Sequence, residues 1–479
     1  MTSMKTILLG SAAGILATGV AQAADLPVKK AAAAVQYVEV CPAYGRGFYK
    51  LPGSDICIRH FGNFKLNMAF ADPKDAMRAS NQTITAKRAG DTVGWQSTVR
   101  PGWDFRSPTE FGTLRTVVQL RMDQRNGLME GRPPQGTGSF RPSVHRGYIE
   151  WAGFTFGRAG TQFAFYDQGD IIGALGGSPK TTAQQLTYTW NAPGGLKATI
   201  GLEDSDAWSA GNGTISTTSG SMIIARGPTR MYDVVASLST EQSWGSAKIS
   251  GAAHQISTIA VTSTGGLIGT NCSRFNGVAG NSGSCVTERA TGWAALAGVT
   301  FLLPSLGAGD QITLEASHGN GAIAYAGING GGDANASSFE RSGQWSGGLV
   351  RDSDADAYAV NNGNGTYRLE KTKATSFIAE LRHYWNPLLR SNLAFSHFRI
   401  TPPAVARNST LANGGIGKAS VNEGALNLIW GKNRQTAEIG VEVLYKKVHQ
   451  DLPGTSTLPA GIKKDPSVWA VATVLSRNW

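Results

Sequence analysis

After residue 23 the sequence has no run of about eighteen apolar residues, the length that a transmembrane helix needs. Only 16% of the 479 residues are charged, and the apolar residues are dispersed through the chain. Glycine is abundant, at 61 positions. Helical membrane spans are therefore excluded. A large all-β chain remains, either soluble or embedded in a membrane.

Motifs of common enzymes and metal sites are also missing. The sequence has no G-x-S-x-G, no H-E-x-x-H and no P-loop, and its seven histidines are scattered. The run Asp352, Asp354 and Asp356 begins like an EF-hand loop. Ala357 and Gly363 stand where that loop needs Gly and Glu, so only a looser divalent site stays open. We expect no catalytic residues, no cofactor and no resident metal.

The chain is basic, with a formal charge of +11, yet it contains no compact block of Lys and Arg. A basic balance could serve nucleic acid, an anionic surface or an anion-favouring channel. Dispersed arginines fit a polar interior or contacts with lipopolysaccharide better than they fit nucleic acid. We therefore expect no nucleic-acid partner.

The first residues have the order of a secretory signal peptide. Lys5 is followed by an apolar stretch at 7–20 and by the A-x-A site Ala21-Gln22-Ala23. The alternative, a membrane anchor, would need a longer and less glycine-rich segment. We predict a signal peptide over 1–23, a periplasmic segment over 24–57 that leads into the first strand, and a barrel over 58–479.

The four cysteines are few and even in number, which suits disulfides in an oxidising compartment. Three connectivities are possible. Closeness in sequence favours Cys41–Cys57 and Cys272–Cys285. A zinc site is the rival interpretation, but no C-x₂-C spacing occurs and no histidine lies close to either pair.

Several segments alternate between apolar and polar residues with the period of a β-strand. In 437–446 the positions Ile439, Val441 and Val443 share one face, and Glu438 and Glu442 share the other. The segments 61–70, 113–122 and 311–318 alternate in the same way.

These strands come in pairs. Short turns rich in Gly, Pro, Asn or Ser are predicted at 107–109, 152–153, 192–195, 243–245, 304–309, 386–388 and 431–433. Long polar connections are predicted near 71–90, 126–142, 160–183, 205–229, 258–289, 320–374, 402–420 and 447–466. About sixteen strands with alternating short and long connections are typical of a closed antiparallel transmembrane β-barrel. Trp95, Trp103, Trp385, Trp430, Trp469 and Trp479 lie near strand ends, as interfacial belts require.

Three motifs resemble a known family. Residues 40–45 (VCPAYG) with 52–59 (PGSDICIR), then 110–115 (EFGTLR) and 148–158 (YIEWAGFTFGR), are similar to segments of alphaproteobacterial porins of Rhizobium, Bradyrhizobium and Brucella type. The resemblance covers the whole chain. It implies a homotrimeric, sixteen-stranded outer-membrane porin for general diffusion. Such barrels usually end in Phe, whereas this chain ends in Trp479, and Arg477 falls at a lipid-facing position from which it would snorkel.

The resemblance also implies that the third long loop, 160–183, folds inward and narrows the pore. It carries Asp167, Asp170 and Lys180, and the facing wall would supply Arg100, Arg115, Arg121 and Arg146. Opposed acidic and basic rows would make a transverse field that orients polar solutes. In the alternative interpretation these arginines only hydrate the lumen or pair with wall carboxylates such as Glu150.

The sequence therefore predicts an outer-membrane channel for ions and small hydrophilic solutes, in contact with lipid and lipopolysaccharide. A structural or adhesive barrel with a filled lumen is an alternative, and a barrel enzyme is a weaker one. The predicted inward positions are often Gly, Ser, Thr or Asn, which suits an open lumen. The preferred ion sign stays open.

Overall fold

The computed structural model describes residues 39–73, 92–127, 139–173, 175–179, 181–208, 212–214, 222–226, 230–262, 285–328, 355–361, 367–410, 415–432, 437–457, 464–465 and 467–479. The predicted signal peptide, Cys272 and Lys180 lie outside these ranges. No helix within the ranges is long and apolar enough to cross a membrane.

Sixteen of the described strands form one antiparallel sheet, and the last strand pairs with the first, so that the sheet closes into a barrel. Strands are numbered along the chain, including five short ones outside the barrel. The barrel strands are β2 (Cys57–Pro73), β3 (Val93–Thr109), β4 (Gly112–Gly127), β5 (Ser139–Trp151), β6 (Phe154–Gly160), β7 (Thr182–Asn191), β8 (Leu196–Glu203), β11 (Asp233–Gln242), β12 (Gly245–Thr262), β13 (Cys285–Leu302), β14 (Gln311–Asn320), β17 (Lys373–Asn386), β18 (Leu389–Thr401), β19 (Ala419–Gly431), β20 (Ala437–Gln450) and β21 (Ser467–Asn478).

The remaining elements are small. Strand β1 (Tyr49–Lys50) pairs with β2, and β10 (Met222–Arg226) pairs with the end of β12. Strands β9 (Asn212–Thr214), β15 (Ala357–Asn361) and β16 (Tyr367–Lys371) form a separate sheet. The helices are α1 (Ser205–Trp208) and α2 (Ala404–Asn408), with 3₁₀ turns at Pro42–Tyr44, Pro193–Gly195 and Ile323–Ala326.

The predicted alternation of short and long connections is confirmed, and so is the count of sixteen strands. The first turn was predicted two residues too early. Residues 107–109 are the end of β3, and the turn is formed by Glu110 and Phe111 before Gly112, whose φ is +100°. Glycine adopts this conformation without strain, so it sets the place where the chain reverses.

The strands of the longest hairpins are longer than the segments of eight to ten residues that alternate in the sequence. Strands β12 and β13 have 18 residues each, and their pairing continues to Val261 opposite Cys285. Main-chain hydrogen bonds extend a hairpin wherever two antiparallel segments run side by side, with or without alternating side chains. Alternation in the sequence therefore marked only the central part of each strand.

The distribution of apolar and charged side chains is the inverse of that in a water-soluble protein. On β20 Ile439, Val441 and Val443 are exposed on the outer face, while Glu438 and Glu442 are buried on the inner face. The other barrel strands follow the same rule, with large apolar residues outside. An apolar outer face on a closed barrel requires an apolar solvent, and the bilayer supplies it.

Tryptophans encircle the outer face near both ends of the barrel. Beside the short turns are Trp151, Trp190, Trp244, Trp385, Trp430 and Trp479, all exposed, and near the long loops are Trp95, Trp293 and Trp469. Such belts are expected at the two lipid–water interfaces. Arg477 is also exposed on the outer face, close to the short-turn end.

Candidate functional site

Residues 161–181, the constriction loop, leave the wall after β6 and cross the lumen. Ile171, Ile172 and Leu175 are buried, and they pack on the inner faces of strands on the far side of the barrel. The wall residues that they contact include Ala394 of β18 and Ala425 of β19. Small inward side chains at these positions leave room for the loop, which thereby gains an apolar anchor.

Wall carboxylates hold the main chain of the loop. Glu315 on β14 accepts hydrogen bonds from the main-chain N–H of Phe165, at 3.2 Å, and of Tyr166, at 2.8 Å. Glu442 on β20 accepts one from the N–H of Ile172 at 2.9 Å. A loop without secondary structure has main-chain donors that need partners once they are buried, and these carboxylates satisfy them.

Two further carboxylates fix the ends of the loop. Glu203 on β8 accepts from the N–H of Gln162 at 2.8 Å. Glu423 on β19 accepts from the N–H of Gly176 and pairs with Lys446 at 2.8 Å. The loop is therefore tied along its length to one side of the barrel.

The two acidic residues predicted on this loop occupy different environments. Asp170 is buried and forms ion pairs with Arg382 and Arg390, and Arg390 also pairs with Glu438 at 2.8 Å. Asp170 therefore serves as an anchor whose charge is balanced within the wall. Asp167 is exposed on the loop. Lys180 is not among the described residues.

A glycine on the wall allows the loop to approach closely. Gly298 lies on the inner face of β13, and a Cβ at this position would lie 2.2 Å from the ring of Phe165. Beside it, the Lys248 ammonium donates a hydrogen bond to the carbonyl of Ala164 at 2.8 Å. A larger residue at position 298 would push the loop off the wall.

Strands β3, β4 and β5 form the opposite side of the lumen, which we call the basic wall. Its arginines are Arg100, Arg106, Arg115, Arg121, Arg125, Arg141 and Arg146. Seven strands lie between β4 and β14 in either direction around the barrel, so the basic wall faces the strands that hold the loop. The four arginines predicted from the sequence therefore lie on one wall, across the lumen from the constriction loop.

The arginines of the basic wall differ in their partners. Arg115 pairs with Asp104 at 3.0 Å and with Glu150 at 2.8 Å, as the alternative interpretation expected for Glu150. Arg121 is buried and pairs with Asp123 at 2.9 Å.

Three arginines of this wall, Arg100, Arg141 and Arg146, have no carboxylate in an ion pair within the described ranges. Arg146 is exposed to the lumen. Arg100 is half-buried, has Arg121, Asp123 and Arg146 among its charged neighbours, and keeps an Nε donor without a partner within the described ranges.

Three loops meet in an aromatic cluster inside the barrel. Tyr325 stacks on Trp208 with ring centroids 4.1 Å apart, and Phe163 of the constriction loop lies 4.6 Å from Tyr325. The Tyr325 hydroxyl donates to Asp233 at 2.8 Å, and the Nδ1 of His254 lies 2.9 Å from the same carboxylate. Burial and the neighbouring carboxylate raise the pKa of Tyr325 well above its ordinary value, so the phenol remains a donor.

The connection between β14 and β17 also touches the constriction loop directly. Gly327 and Gly177, both with positive φ, lie against each other, and a Cβ on Gly327 would come within 2.2 Å of the Gly177 main chain. Ile323 is buried, and its N–H donates to Asp356 at 2.9 Å. This contact places a second connection inside the lumen, which the sequence did not predict.

The predicted Cys41–Cys57 disulfide is present and closes the segment before β2. Phe48 in this segment is buried under the Arg106 guanidinium, 4.6 Å from its ring centroid, and Arg106 pairs with Asp104 at 2.9 Å. The segment therefore packs on inward residues at the short-turn mouth. The proposed partner pair, Cys272–Cys285, cannot be placed because Cys272 lies outside the described residues.

Sequence reasoning missed the residues that hold the loop. They are Glu203, Glu315, Glu423, Glu442, Arg382, Arg390, Trp208 and Tyr325. The sequence did contain a signal for the carboxylates. Burying a carboxylate in the middle of an alternating strand costs free energy unless a partner lies inside the barrel, so each such carboxylate predicts a partner there. Among the described residues no group of three or more His, Cys, Asp and Glu could hold a metal ion.

Comparison with known proteins agrees with this architecture. A family model described as "Porin subfamily" matches residues 25–449. Porin Omp2b of Brucella suis is 30% identical over 263 residues, which is 51% of this chain and 64% of that porin. Porin Omp2b of Brucella melitensis is 32% identical over 218 residues, 42% of this chain and 54% of that porin. The chain thus aligns with less than two thirds of these relatives.

Among solved structures, the outer membrane channel DcaP of Acinetobacter baumannii is similar in fold, with a TM-score of 0.55. It is 12% identical, and the match covers 90% of this chain and 99% of that channel. The closed barrel, its outer apolar face and the match of the family model over most of the sequence lead to one assignment. The chain belongs to the porin subfamily and is located in the outer membrane.

Proposed function

We propose that the protein is a passive, water-filled diffusion channel for ions and small hydrophilic solutes. The observation that carries this is the constriction loop, which is tied to one side of the lumen while charged side chains line the other side. A barrel of sixteen strands is wide enough to keep water between them. Family membership favours a channel over an enzyme.

The narrowest part of the channel lies between the constriction loop and the basic wall. Asp167 on the loop and Arg100, Arg115, Arg121 and Arg146 on the wall are the charged groups that we assign to it. Asp170 contributes by holding the loop. Lys180 is assigned to the constriction on the basis of the sequence alone. Selectivity in such a passage follows from its width and from the charges around it.

Export and assembly follow the family. We propose that residues 1–23 are removed as a signal peptide, that residues 24–57 remain periplasmic, and that the barrel forms a homotrimer in contact with lipopolysaccharide. The order of charged, apolar and small residues supports cleavage. Trimerisation rests on the resemblance to porins.

Single-channel recording in a planar lipid bilayer tests the proposal. The purified protein is first shown to be folded, because an unheated sample migrates differently on a gel from a heated one. It should then give large, long-lived conductance steps. A trimer should produce them in threes. Persistent silence of folded protein would contradict a diffusion channel and would favour a barrel filled by its constriction loop and by the connection that carries Tyr325.

A further inference from the structure

The charges of the two sides of the lumen differ in their access to water. The carboxylates on the side of the constriction loop are buried, with exposed fractions of 0% for Glu203 and Glu442 and 2% for Glu315. Glu423 and Glu438 are also buried and are paired with Lys446 and Arg390. The loop therefore covers the acidic half of the lumen.

The negative charge of these buried groups is largely balanced by hydrogen-bond donors and cations of the protein itself. Each of Glu203, Glu315 and Glu442 accepts main-chain hydrogen bonds from the loop, and Asp170 lies between Arg382 and Arg390. A carboxylate that is desolvated and bonded to fixed donors attracts a cation in the water-filled passage less than an exposed carboxylate does.

The basic wall is not covered in this way. Arg146 is exposed, Arg100, Arg115 and Arg141 are half-buried, and neither Arg100 nor Arg146 has a carboxylate in an ion pair within the described ranges. Among the residues that the structure describes, exposed carboxylates near this passage are few. Asp167 lies on the loop, and Glu150 is already paired with Arg115.

We infer that the water-filled side of the lumen is positively charged and that the channel favours small anions over cations. The inference rests on the proposed channel function and adds the class of solute. Because the Debye length is about 8 Å at physiological ionic strength, salt does not fully screen an arginine from an ion that passes within that distance of it. Carboxylate- or phosphate-bearing solutes of small size are the expected cargo, since arginine donates to both.

The test is the reversal potential of the folded protein in a bilayer under a gradient of potassium chloride. We expect a potential of the sign that reports chloride permeation in excess of potassium. Arg146→Gln and Arg100→Gln should each reduce the permeability ratio by about twofold or more, because each removes from the passage a positive charge that is in no ion pair.

A matched control removes the same charge elsewhere on the barrel. Arg477 is exposed on the outer face of β21, so Arg477→Gln changes the net charge equally and should leave the reversal potential unchanged. An equal shift in all three variants would overturn the inference, since it would report the net charge of the protein rather than the charge of the lumen.

A second measurement needs no variant. Replacing chloride by the larger gluconate should reduce the conductance more than replacing potassium by tetramethylammonium. A potassium-favouring or zero reversal potential in the wild-type protein would overturn the anion preference and leave the channel function intact. Absence of any conductance from folded protein would contradict both the anion preference and the channel function.

Discussion

At the scale of single residues, the absence of a side chain at Gly298 decides how closely the constriction loop approaches the wall. The Phe165 ring occupies the space where a Cβ would be, at 2.2 Å. The adjacent hydrogen bonds from Phe165 and Tyr166 to Glu315 require the main chain to lie near β14. One glycine therefore helps to set the width of the passage.

Replacing this glycine should narrow the channel. We expect Gly298→Leu to displace Phe165 toward the basic wall and to lower the single-channel conductance, because an overpacked site moves its more mobile neighbour. Gly251→Ala on β12 is the control, since its added Cβ would meet only a main-chain oxygen at 3.9 Å. Equal conductance for Gly298→Leu and wild type would refute this role.

The disulfide before β2 should contribute to the stability of the folded protein. Cys41 and Cys57 are 16 positions apart. A loop of this size restricts the unfolded chain by about 3 kcal/mol. In the double variant Cys41→Ser with Cys57→Ser the free energy of unfolding should fall by that amount. The measurement is urea unfolding followed by tryptophan fluorescence. An unchanged urea midpoint in the double variant would contradict the expectation. So would a wild-type protein whose midpoint is the same in oxidising and in reducing buffer.

At the scale of elements, the constriction loop is held by connections as well as by the wall. Phe163 joins it to Trp208 in α1 and to Tyr325 in the connection between β14 and β17. Asp233 anchors that cluster to β11 through the Tyr325 hydroxyl. Because the three segments share one cluster, a change in one of them is transmitted to the loop that narrows the channel.

Removing one hydroxyl should loosen this cluster without altering the barrel. Tyr325→Phe keeps the stacked ring and leaves the Asp233 carboxylate with one donor fewer, a cost of about 1–3 kcal/mol for a buried group. We expect more frequent brief closures in single-channel records, while the barrel still folds, as judged by the difference in migration between unheated and heated samples on gels. Tyr232→Phe, at an exposed tyrosine, is the control. Identical closure rates in both variants would exclude a positioning role for Tyr325.

At the scale of the whole molecule, stability depends on matching an apolar outer face to lipid. The outward residues of β20 are exposed, and the inward ones include the carboxylates that hold the loop. A bilayer tolerates this arrangement because the closed sheet satisfies every ladder hydrogen bond internally. The same sequence could not remain dispersed in water with such a surface.

A charge on the outer face should therefore be costly. Val443→Arg, near the middle of β20, should destabilise the barrel by about 2–4 kcal/mol in lipid vesicles. Leu306→Arg is the control, because Leu306 is 67% exposed in the short connection between β13 and β14, outside the strands. The measurement is urea unfolding of both variants in the same vesicles. Equal losses would contradict a membrane boundary between the two positions.

Part of the site could be predicted from the sequence. Alternation placed Arg100, Arg115 and Arg121 on inward positions, and motif resemblance identified the third loop as the one that folds inward. The partners of Asp170 could not be predicted, because Arg382 and Arg390 lie more than 200 positions away and meet it only once the barrel closes. Asp170 therefore looked like a pore charge and is buried as an anchor.

The sequence by itself determined the strand period, the alternation of short turns and long loops and the outward apolar face, and it favoured the Cys41–Cys57 pairing. These features depend on neighbours along the chain or on one hairpin. Only the tertiary structure decided which charges face water, since closure of sixteen strands brings distant residues together and the constriction loop covers one side of the lumen. Burial of a carboxylate depends on what lies over it, and a residue's type and spacing do not contain that information.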